Sequence, residues 1–325
     1  NRSNETPYTI ERKHHRIELR HFPPGGKKKK RSPVPVLLIP PLAGNISLFD
    51  IHPDYSAIRV VQGMGFEQYL LNWGNPTHQD RNNSIDDYLG EVIKAVKLIR
   101  KQTGAEKVAL VGYCLGGILA AFYAARHKDV QCLAVLNSPF NFASESLADE
   151  IQKAFYDLPK LLTFGLFSRK HLPLRNTSGH FTTVMYQLSN PAAAIRGRIA
   201  LYRGCLNRHE TEVRLSMQDA LQMNNYPAQA MQDMIDCALG NQIVEKTMVA
   251  RGAPIDLTRI RAPIFCGSGK ADNTVPQSAL LCSTNLISPR KATSYQTEGG
   301  HIGAVFGMGS LHSTWQTVGE WIRTT

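Results

Sequence analysis

The chain has 325 residues, of which 42% are hydrophobic and 19% are charged, and its formal net charge is +11. This composition excludes an intrinsically disordered chain, which is poorer in apolar residues and richer in charge. The 25 glycines and 18 prolines follow no period, so collagen-like and other low-complexity classes are excluded too. The length is sufficient for one large domain or two ordinary ones, and either can bury a substantial core.

The positive charge is concentrated at the start of the chain. Residues 1–31 contain ten Lys or Arg against three acids, which is +7 of the net +11, and they end in the run Lys27–Arg31. A basic run either attracts an anion, such as nucleic acid or anionic lipid, or is a solvated loop, and the loop is favoured. The sequence therefore predicts a basic N-terminal arm over residues 1–32, outside the core, with one strand near residues 16–19.

Apolar segments of strand length alternate with longer amphipathic segments after residue 33. The run 34–39, bounded by prolines, has the pattern of a strand buried on both faces. Further strands are predicted at residues 66–73, 108–111, 132–136, 263–266 and 293–297. Helices are predicted at residues 85–103, 115–127 and 310–323, and another is predicted to start at 277. This alternation predicts an α/β fold with a mostly parallel central sheet and helices on both faces.

The helix predicted at residues 85–103 has a clear start signal. Ser84 precedes the first apolar position, and Asp87 follows it by three residues. This pair predicts a capping box at the helix N-terminus.

Between residues 143 and 255 the alternation stops. This segment reads as helical and rich in methionine, without clear strands, and it is too long for a plain loop. We predict a core at residues 33–142 and 256–325 with a helical cap inserted between them. The cap methionines are expected to be adaptable core residues.

The cysteines and histidines form no metal-binding motif. The six cysteines make no CxxC pair, and the 11 histidines do not cluster with cysteines or acids at metal-ligand spacing. A chain of 36.1 kDa does not need disulfides to fold, so the pattern predicts free thiols and a reducing, cytoplasmic location. No signal-peptide pattern opens the sequence, and the longest apolar runs are shorter than a membrane span.

The segment Gly112-Tyr113-Cys114-Leu115-Gly116-Gly117 lies directly between a predicted strand and a predicted helix. This context is typical of a nucleophile elbow, in which a tight turn needs small residues two before and two after the nucleophile. A helix N-terminus favours the thiolate form of a cysteine. A structural cysteine in a glycine-rich turn is the alternative, but the context favours Cys114 as a nucleophile that forms a thioester.

An acid and then a histidine follow Cys114, each in a loop after a predicted strand. Asp272 follows the strand 263–266, and His301 follows the strand 293–297. Alone, each residue reads equally well as a turn or surface residue. Their order matches that of an elbow-based triad, so His301 is predicted to be the general base and Asp272 the residue that orients it.

The oxyanion of such a site needs two backbone donors. The residue after the nucleophile, Leu115, supplies one N–H. The second is expected from the loop after the first core strand, at Leu42 or Ala43.

The motifs together resemble the polyhydroxyalkanoate (poly-3-hydroxybutyrate) synthases. The resemblance covers most of residues 34–323 and includes a Pro-Pro segment ending in Asp50. GYCLGG alone is shared with dienelactone hydrolases, so the combination is what points to the synthases. Its other elements are WGNP at 73–76, DDY at 86–88, RGAPIDL at 251–257, ADNTVP at 271–276 and GGHIG at 299–303.

This resemblance implies an α/β-hydrolase core with a helical cap and an acyltransferase that polymerises (R)-3-hydroxyacyl-coenzyme A. Cys114 matches the acylated nucleophile, His301 the base and Asp272 the remaining acid of a Cys-His-Asp triad. It implies no metal or redox cofactor, coenzyme A thioester as substrate, and a growing polyester chain. It also implies a homodimer, a second synthase subunit, granule proteins, and a location in the cytoplasm or on polymer granules. No nucleic-acid partner and no transmembrane segment are expected.

The sequence also departs from that family. Residues 219–227 stand where a tryptophan and a more acidic segment are expected, and the chain lacks the long N-terminal domain of larger synthases. Two alternatives stay open: a cysteine-dependent hydrolase, such as a thioesterase, polyester depolymerase or dienelactone-type enzyme, and a non-enzymatic granule-associated scaffold.

Overall fold

A twisted eight-stranded sheet forms the centre of the computed structural model, which describes residues 5–25, 32–143, 175–189, 195, 199, 207–287 and 292–325. Its strand order is β1-β2-β6-β3-β7-β8-β11-β12. In this order, the six strands β6, β3, β7, β8, β11 and β12 run parallel to one another. Strands β1 and β2 are antiparallel to their neighbours. The strand bounds are β1 Thr9–His14, β2 Ile17–Phe22, β3 Val36–Ile39, β6 Gln68–Asn72, β7 Val108–Tyr113, β8 Val130–Leu136, β11 Ile264–Gly269 and β12 Ala292–Thr297.

Two small hairpins lie outside this sheet. They consist of β4 Asp50–His52 with β5 Tyr55–Ser56, and β9 Val249–Ala250 with β10 Ala253–Pro254. The described helices are α1 Ala57–Gly63, α2 Ile85–Thr103, α3 Leu115–Arg126, α4 Gly179–Ser189, α5 Arg208–Ala220, α6 Ala228–Leu239, α7 Gly303–Phe306 and α8 Leu311–Thr324.

Helices cover both faces of the sheet. In β3, Leu37 and Ile39 join the apolar cluster that contains α2 and α3, while Val36 and Leu38 join the cluster that contains α1 and α8. Successive side chains of a strand point to opposite faces, so a strand buried on both faces must be apolar throughout. The predicted α/β-hydrolase architecture, a mostly parallel sheet between two helical layers, is confirmed.

Most predicted elements are present, and α2 matches its predicted bounds. Ser84 caps α2: its hydroxyl accepts from the Asp87 N–H, and the Asp87 carboxylate accepts from the Ser84 N–H. The predicted capping box is therefore confirmed. The helix predicted to start at residue 277 is wrong. Two 3-10 turns, Gln277–Ala279 and Leu281–Ser283, stand there, because the Ala279 carbonyl accepts from the backbone N–H groups of Phe140 and Asn141.

The prediction of an arm at residues 1–32 outside the core is also wrong for its middle part. Strand β2 pairs with β6 of the central sheet and carries β1 on its other edge. Leu19 and Phe22 of β2 are both 2% exposed. Strand pairing and this burial outweigh the local positive charge. The basic run Lys27–Arg31 lies outside the described residues.

Two of the six cysteines are joined, which the sequence did not predict. Cys266 of β11 and Cys282 of the second 3-10 turn form a disulfide across 16 residues of sequence. Cysteines this far apart in sequence show their proximity only once the fold is known. Cys132 and Cys237 are free and buried, and burial raises the pKa of each thiol to about 12. The prediction of free thiols is therefore wrong for this pair, and the cytoplasmic location stays a prediction.

Helices α4, α5 and α6 belong to the segment predicted as a cap, and part of that segment lies outside the described residues. Backbone contacts tie it to the core loops: the Asn224 N–H donates to the Ala43 carbonyl (2.8 Å), and the Ile85 N–H donates to Asp233 (2.9 Å). The exact domain limits at 142–143 and 255–256 stay a prediction. Within the described segments, no helix combines the length and apolar character that a membrane crossing requires.

Candidate active site

The turn between β7 and α3 holds Cys114 in an unusual backbone conformation. Its φ is +53° and its ψ is −124°, a region that costs a non-glycine residue about 1–3 kcal/mol. The neighbouring glycines allow this turn. A Cβ on Gly112 would lie 2.4 Å from the Cα of Gly117, and a Cβ on Gly116 would lie 2.1 Å from the Ile39 carbonyl oxygen. The geometry is that of the predicted nucleophile elbow.

His301 and Asp272 lie at the same edge of the sheet as Cys114. His301 Nδ1 is 2.9 Å from Asp272 Oδ2, and both residues are 8% exposed. The other oxygen of Asp272 accepts from the backbone N–H groups of Thr274 and Val275, at 2.9 Å each. These bonds fix the carboxylate, which in turn fixes the imidazole ring.

Two hydrogen bonds hold the backbone of His301 in place. Its carbonyl accepts from the Asn137 amide (2.6 Å) and from the Tyr113 hydroxyl (3.2 Å). Neither residue was identified from the sequence. Both follow or end a central strand, which is the only signal that the sequence offers for them.

His301 also interacts electrostatically with Cys114, so the imidazole is bonded to a carboxylate and lies near a thiol. Burial opposes a charge on the ring. The negative charge of a Cys114 thiolate and the hydrogen bond and charge of Asp272 outweigh burial and raise the pKa of His301 to about 10. The site therefore holds a proton on His301 when Cys114 carries a negative charge.

The three predicted oxyanion residues have different positions. Leu115 is the first residue of α3, where backbone N–H groups have no acceptor within the helix. Leu115 and Ala43 line the cavity at Cys114, whereas Leu42 is fully buried and is absent from that lining. The loop that carries Ala43 is fixed by Trp73, whose indole N–H donates to the Pro40 carbonyl (3.0 Å). The oxyanion role of all three stays a prediction.

An apolar cavity of about 340 Å³ opens at Cys114 between the core and the cap helices. Cys114 and His301 lie in its wall, which is otherwise built largely from aliphatic, aromatic and thioether side chains. The cap contributes Leu221, Met223, Tyr226, Met231, Met234, Ile235 and Ala238. Met231 and Met234 are also buried in the apolar core, so the expectation of core methionines is confirmed for these two, although they line the cavity as well.

Tyr226 brings a polar group to this region. Its hydroxyl is buried and has no hydrogen-bond partner among the described residues. Burial and the nearby groups of Tyr88, Cys114 and Asp233 raise the pKa of this hydroxyl well above its usual value. It therefore stays a neutral donor that a polar ligand atom can satisfy.

Taken together, these groups have the chemistry of acyl transfer. A thiol at a helix N-terminus can attack a carbonyl carbon, and an imidazole that contacts it can carry the proton. A carboxylate can hold the imidazole tautomer, and the apolar cavity can receive an acyl chain and limit access of water.

A family model described as the alpha/beta hydrolase fold matches residues 34–303. Among solved structures, a monoacylglycerol lipase of Paleococcus ferrophilus superposes with a TM-score of 0.55 at 16% identity, over 95% of this chain and 98% of that one. The thioesterase domain from the curacin biosynthetic pathway superposes with a TM-score of 0.51 at 13% identity, over 99% and 100% of the two chains. At such identities the likeness shows the fold alone.

The sequence is also similar to poly(3-hydroxyalkanoate) polymerase subunits. The protein of Haloferax mediterranei is 25% identical over 98% of this chain, and that of Allochromatium vinosum is 26% identical over 90% of it. This chain spans 64% of the length of the first relative and 81% of the second.

Proposed function

The chain belongs to the alpha/beta hydrolase fold family, and on that premise we propose that it is an acyltransferase that polymerises (R)-3-hydroxyacyl-coenzyme A through a thioester on Cys114. One observation carries the proposal: Cys114 and His301 lie together in the wall of one apolar cavity, and the His301 imidazole bonds to the buried carboxylate of Asp272. The similarity to poly(3-hydroxyalkanoate) polymerases supports the substrate class.

The first half-reaction loads the enzyme. His301 accepts the Cys114 proton, and the thiolate attacks the thioester carbonyl of the substrate. The negative charge on the carbonyl oxygen is stabilised by the Leu115 N–H and by a second donor in the loop of Ala43. The bond to coenzyme A breaks, His301 returns the proton to the departing thiolate, and the acyl group stays on Cys114.

The second half-reaction extends the chain. The hydroxyl group of another hydroxyacyl unit loses its proton to His301 and attacks the Cys114 thioester. The new ester bond forms, the Cys114 thiolate leaves, and the proton on His301 restores the starting state. Asp272 keeps the imidazole oriented in both halves and stabilises its positive charge.

A hydrolase would use the same groups with water in place of the hydroxyl nucleophile. The apolar wall contributed by the cap favours the transferase, because it gives water few polar partners next to the thioester. A non-enzymatic scaffold would have no use for the strained cysteine and its imidazole partner.

Further features are part of the proposal. The acyl transfer itself uses no metal or redox cofactor, and coenzyme A enters only as the substrate thioester. The protein acts as a homodimer, with a second synthase subunit and granule proteins, in the cytoplasm or on the granule surface. It has no nucleic-acid partner.

Intact-protein mass spectrometry after addition of (R)-3-hydroxybutyryl-coenzyme A tests the proposal. We expect an adduct on Cys114 that grows by repeating hydroxyacyl units, together with release of coenzyme A. Cys114→Ala should carry no adduct. Asp272→Asn should slow loading by roughly 10²–10⁴-fold, because the imidazole loses its orienting partner.

Two outcomes separate the alternatives. Free hydroxybutyrate without any oligomer would replace the synthase by a hydrolase. Coenzyme A release that is unchanged in Cys114→Ala would remove the nucleophile assignment. The buried and free Cys132→Ala variant is the matched control, and we expect it to load normally.

A further inference from the structure

Three side chains that commonly bind metals meet where helix α5 packs against the β4–β5 hairpin. His52 ends β4 and is 7% exposed, and Asp54 lies in the turn that follows it. His209 is the second residue of α5, more than 150 positions later in the chain. The sequence shows no metal motif here because one of the three residues comes from the predicted cap and the other two come from the core.

Two ligand-atom distances within this cluster are close to those around one tetrahedral ion, and all three ligand atoms lie within 4.8 Å of one another. Asp54 Oδ2 is 3.5 Å from His52 Nδ1 and 3.1 Å from His209 Nε2. Ligand atoms bound to tetrahedral zinc at about 2.0–2.2 Å lie about 3.3 Å from one another. The two imidazole centroids are 5.1 Å apart, and two rings that share such an ion stand about 5 Å apart.

We propose that His52, Asp54 and His209 form a binding site for a divalent transition-metal ion of the zinc type. Two imidazoles and one carboxylate are a donor set that such ions accept, with water in the remaining position. The side chains of Asp54 and His209 are 58% and 61% exposed, so water and the ion can reach the site.

A second layer of contacts supports the ligands. His312 Nε2 donates to the backbone carbonyl of Asp54 (2.8 Å), which fixes the turn that carries the carboxylate. The Asp54 N–H donates to His52 Nδ1 at 3.3 Å, a long contact that an ion at this nitrogen would replace. A simple ion pair between His209 and Asp54 is the competing explanation, and it requires no ion.

The ion would connect the core to the cavity through α5. The N-terminal end of this helix carries His209, while Ala220 at its other end and the adjacent Leu221 line the cavity at Cys114. A bound ion would therefore hold α5 against the hairpin and stabilise that wall of the cavity. The metal site does not depend on the acyl-transfer proposal, because none of its ligands belongs to the acyl-transfer residues.

Zinc titration of the tag-free full chain tests the site. The Cys114→Ala background removes the thiol in the cavity as a competing zinc ligand, and treatment with chelator removes metal carried through purification. By calorimetry we expect one Zn²⁺ per chain. Asp54→Asn and His209→Ala should each weaken binding at least about tenfold, because each removes one ligand from the ion.

His180→Ala is the matched control. His180 is an exposed histidine and, like His209, is the second residue of its helix. We expect it to bind Zn²⁺ as the parent does. Added Zn²⁺ should raise the melting temperature of the parent and of His180→Ala, but not that of Asp54→Asn or His209→Ala.

Substitution with Co²⁺ gives a readout that does not depend on stability. The parent should show the visible absorption of tetrahedral Co²⁺, and His209→Ala should lose it. The absence of stoichiometric Zn²⁺ binding, or equal binding by the parent and both ligand variants, would overturn the proposal and leave the ion pair as the explanation. Both variants replace exposed side chains, so loss of folding is not expected to obscure the result.

Discussion

The backbone of Cys114 is strained at the position where the proposed reaction takes place. Its positive φ places the thiol at the cavity but disfavours every residue except glycine. We therefore expect Cys114→Gly to be more stable than Cys114→Ala by about 1 kcal/mol, although both lack the thiol. Urea unfolding of the two variants measures this difference.

Glycine should be more stable than alanine at Cys114 but less stable than alanine within a helix. Ala120 lies inside α3, the regular helix that follows Cys114. Ala120→Gly should therefore lower the unfolding free energy by about 1 kcal/mol or more. If both glycine variants were destabilised to the same degree, the turn would carry no strain.

The charge state of His301 predicts a pH dependence of stability. Its pKa rises from about 6.5 in the unfolded chain to about 10 in the folded protein. Because the pKa is raised on folding, the contribution of His301 to the stability of the folded protein is fully present below pH 6.5. It is lost as the pH rises through 10. Over that window the loss is at most about 1.4 kcal/mol per pH unit.

Comparison with His301→Gln isolates this contribution. The difference in unfolding free energy between the parent and the variant should decrease from pH 6.5 to pH 10. A difference that stays constant across the window would contradict an imidazolium stabilised by Cys114 and Asp272.

The sequence alone was enough to identify the proposed catalytic residues, but not the residues that hold or surround them. The order of Cys114, Asp272 and His301, each after a predicted strand, was enough to expect them at one edge of the sheet. Their chemical roles stay proposals. Asn137 and Tyr226 carry no local pattern, because their importance arises only from what lies opposite them in the fold.

Among the elements, the segment between β11 and β12 depends on a covalent link. The Cys266–Cys282 disulfide closes a loop that contains Asp272 and the turn whose Ala279 carbonyl accepts from Phe140 and Asn141. Closure of a loop of this size restricts the unfolded chain, and its loss is expected to cost about 2–4 kcal/mol. Cys282→Ser should therefore lower the unfolding free energy by that amount.

A reducing agent supplies the control. It should destabilise the parent to a similar degree and leave Cys282→Ser unchanged, since the remaining free thiols form no bond for it to break. Equal stability of the parent with and without reductant would mean that the link contributes nothing.

Element prediction succeeded where the signal is local. The helix α2 carries its own cap, its apolar stripe and its C-terminal Gly104, which adopts the left-handed conformation that ends many helices. The segment after Pro276 shows the opposite case. Its backbone groups bond to residues more than a hundred positions away, so 3-10 turns replace the helix that local sequence favours.

In the whole molecule, the first two strands are structural. Phe22 of β2 is 2% exposed, belongs to the apolar cluster of α1 and α8, and packs against Tyr8 with ring centroids 5.6 Å apart. We expect Phe22→Ala to lower the unfolding free energy by about 3–5 kcal/mol, through lost burial and the cavity that it leaves.

Ile10→Ala on the neighbouring strand is the matched comparison. Ile10 is 46% exposed, so its loss should change the unfolding free energy by no more than about 0.5 kcal/mol. Equal effects of the two substitutions, measured by urea unfolding, would return residues 9–22 to the interpretation as an arm outside the core.

The sequence by itself determined the sheet-and-helix alternation, the elbow at Cys114 and the chain order of its partners. These features are encoded in periodicity, glycine spacing and caps, which depend on residues close together in the chain. Only the tertiary structure decided that the N-terminal segment joins the sheet, that Cys266 meets Cys282, and that His52, Asp54 and His209 converge. Each of these depends on contacts between residues distant in sequence, where pairing and burial outweigh the local charge and spacing from which a sequence is read.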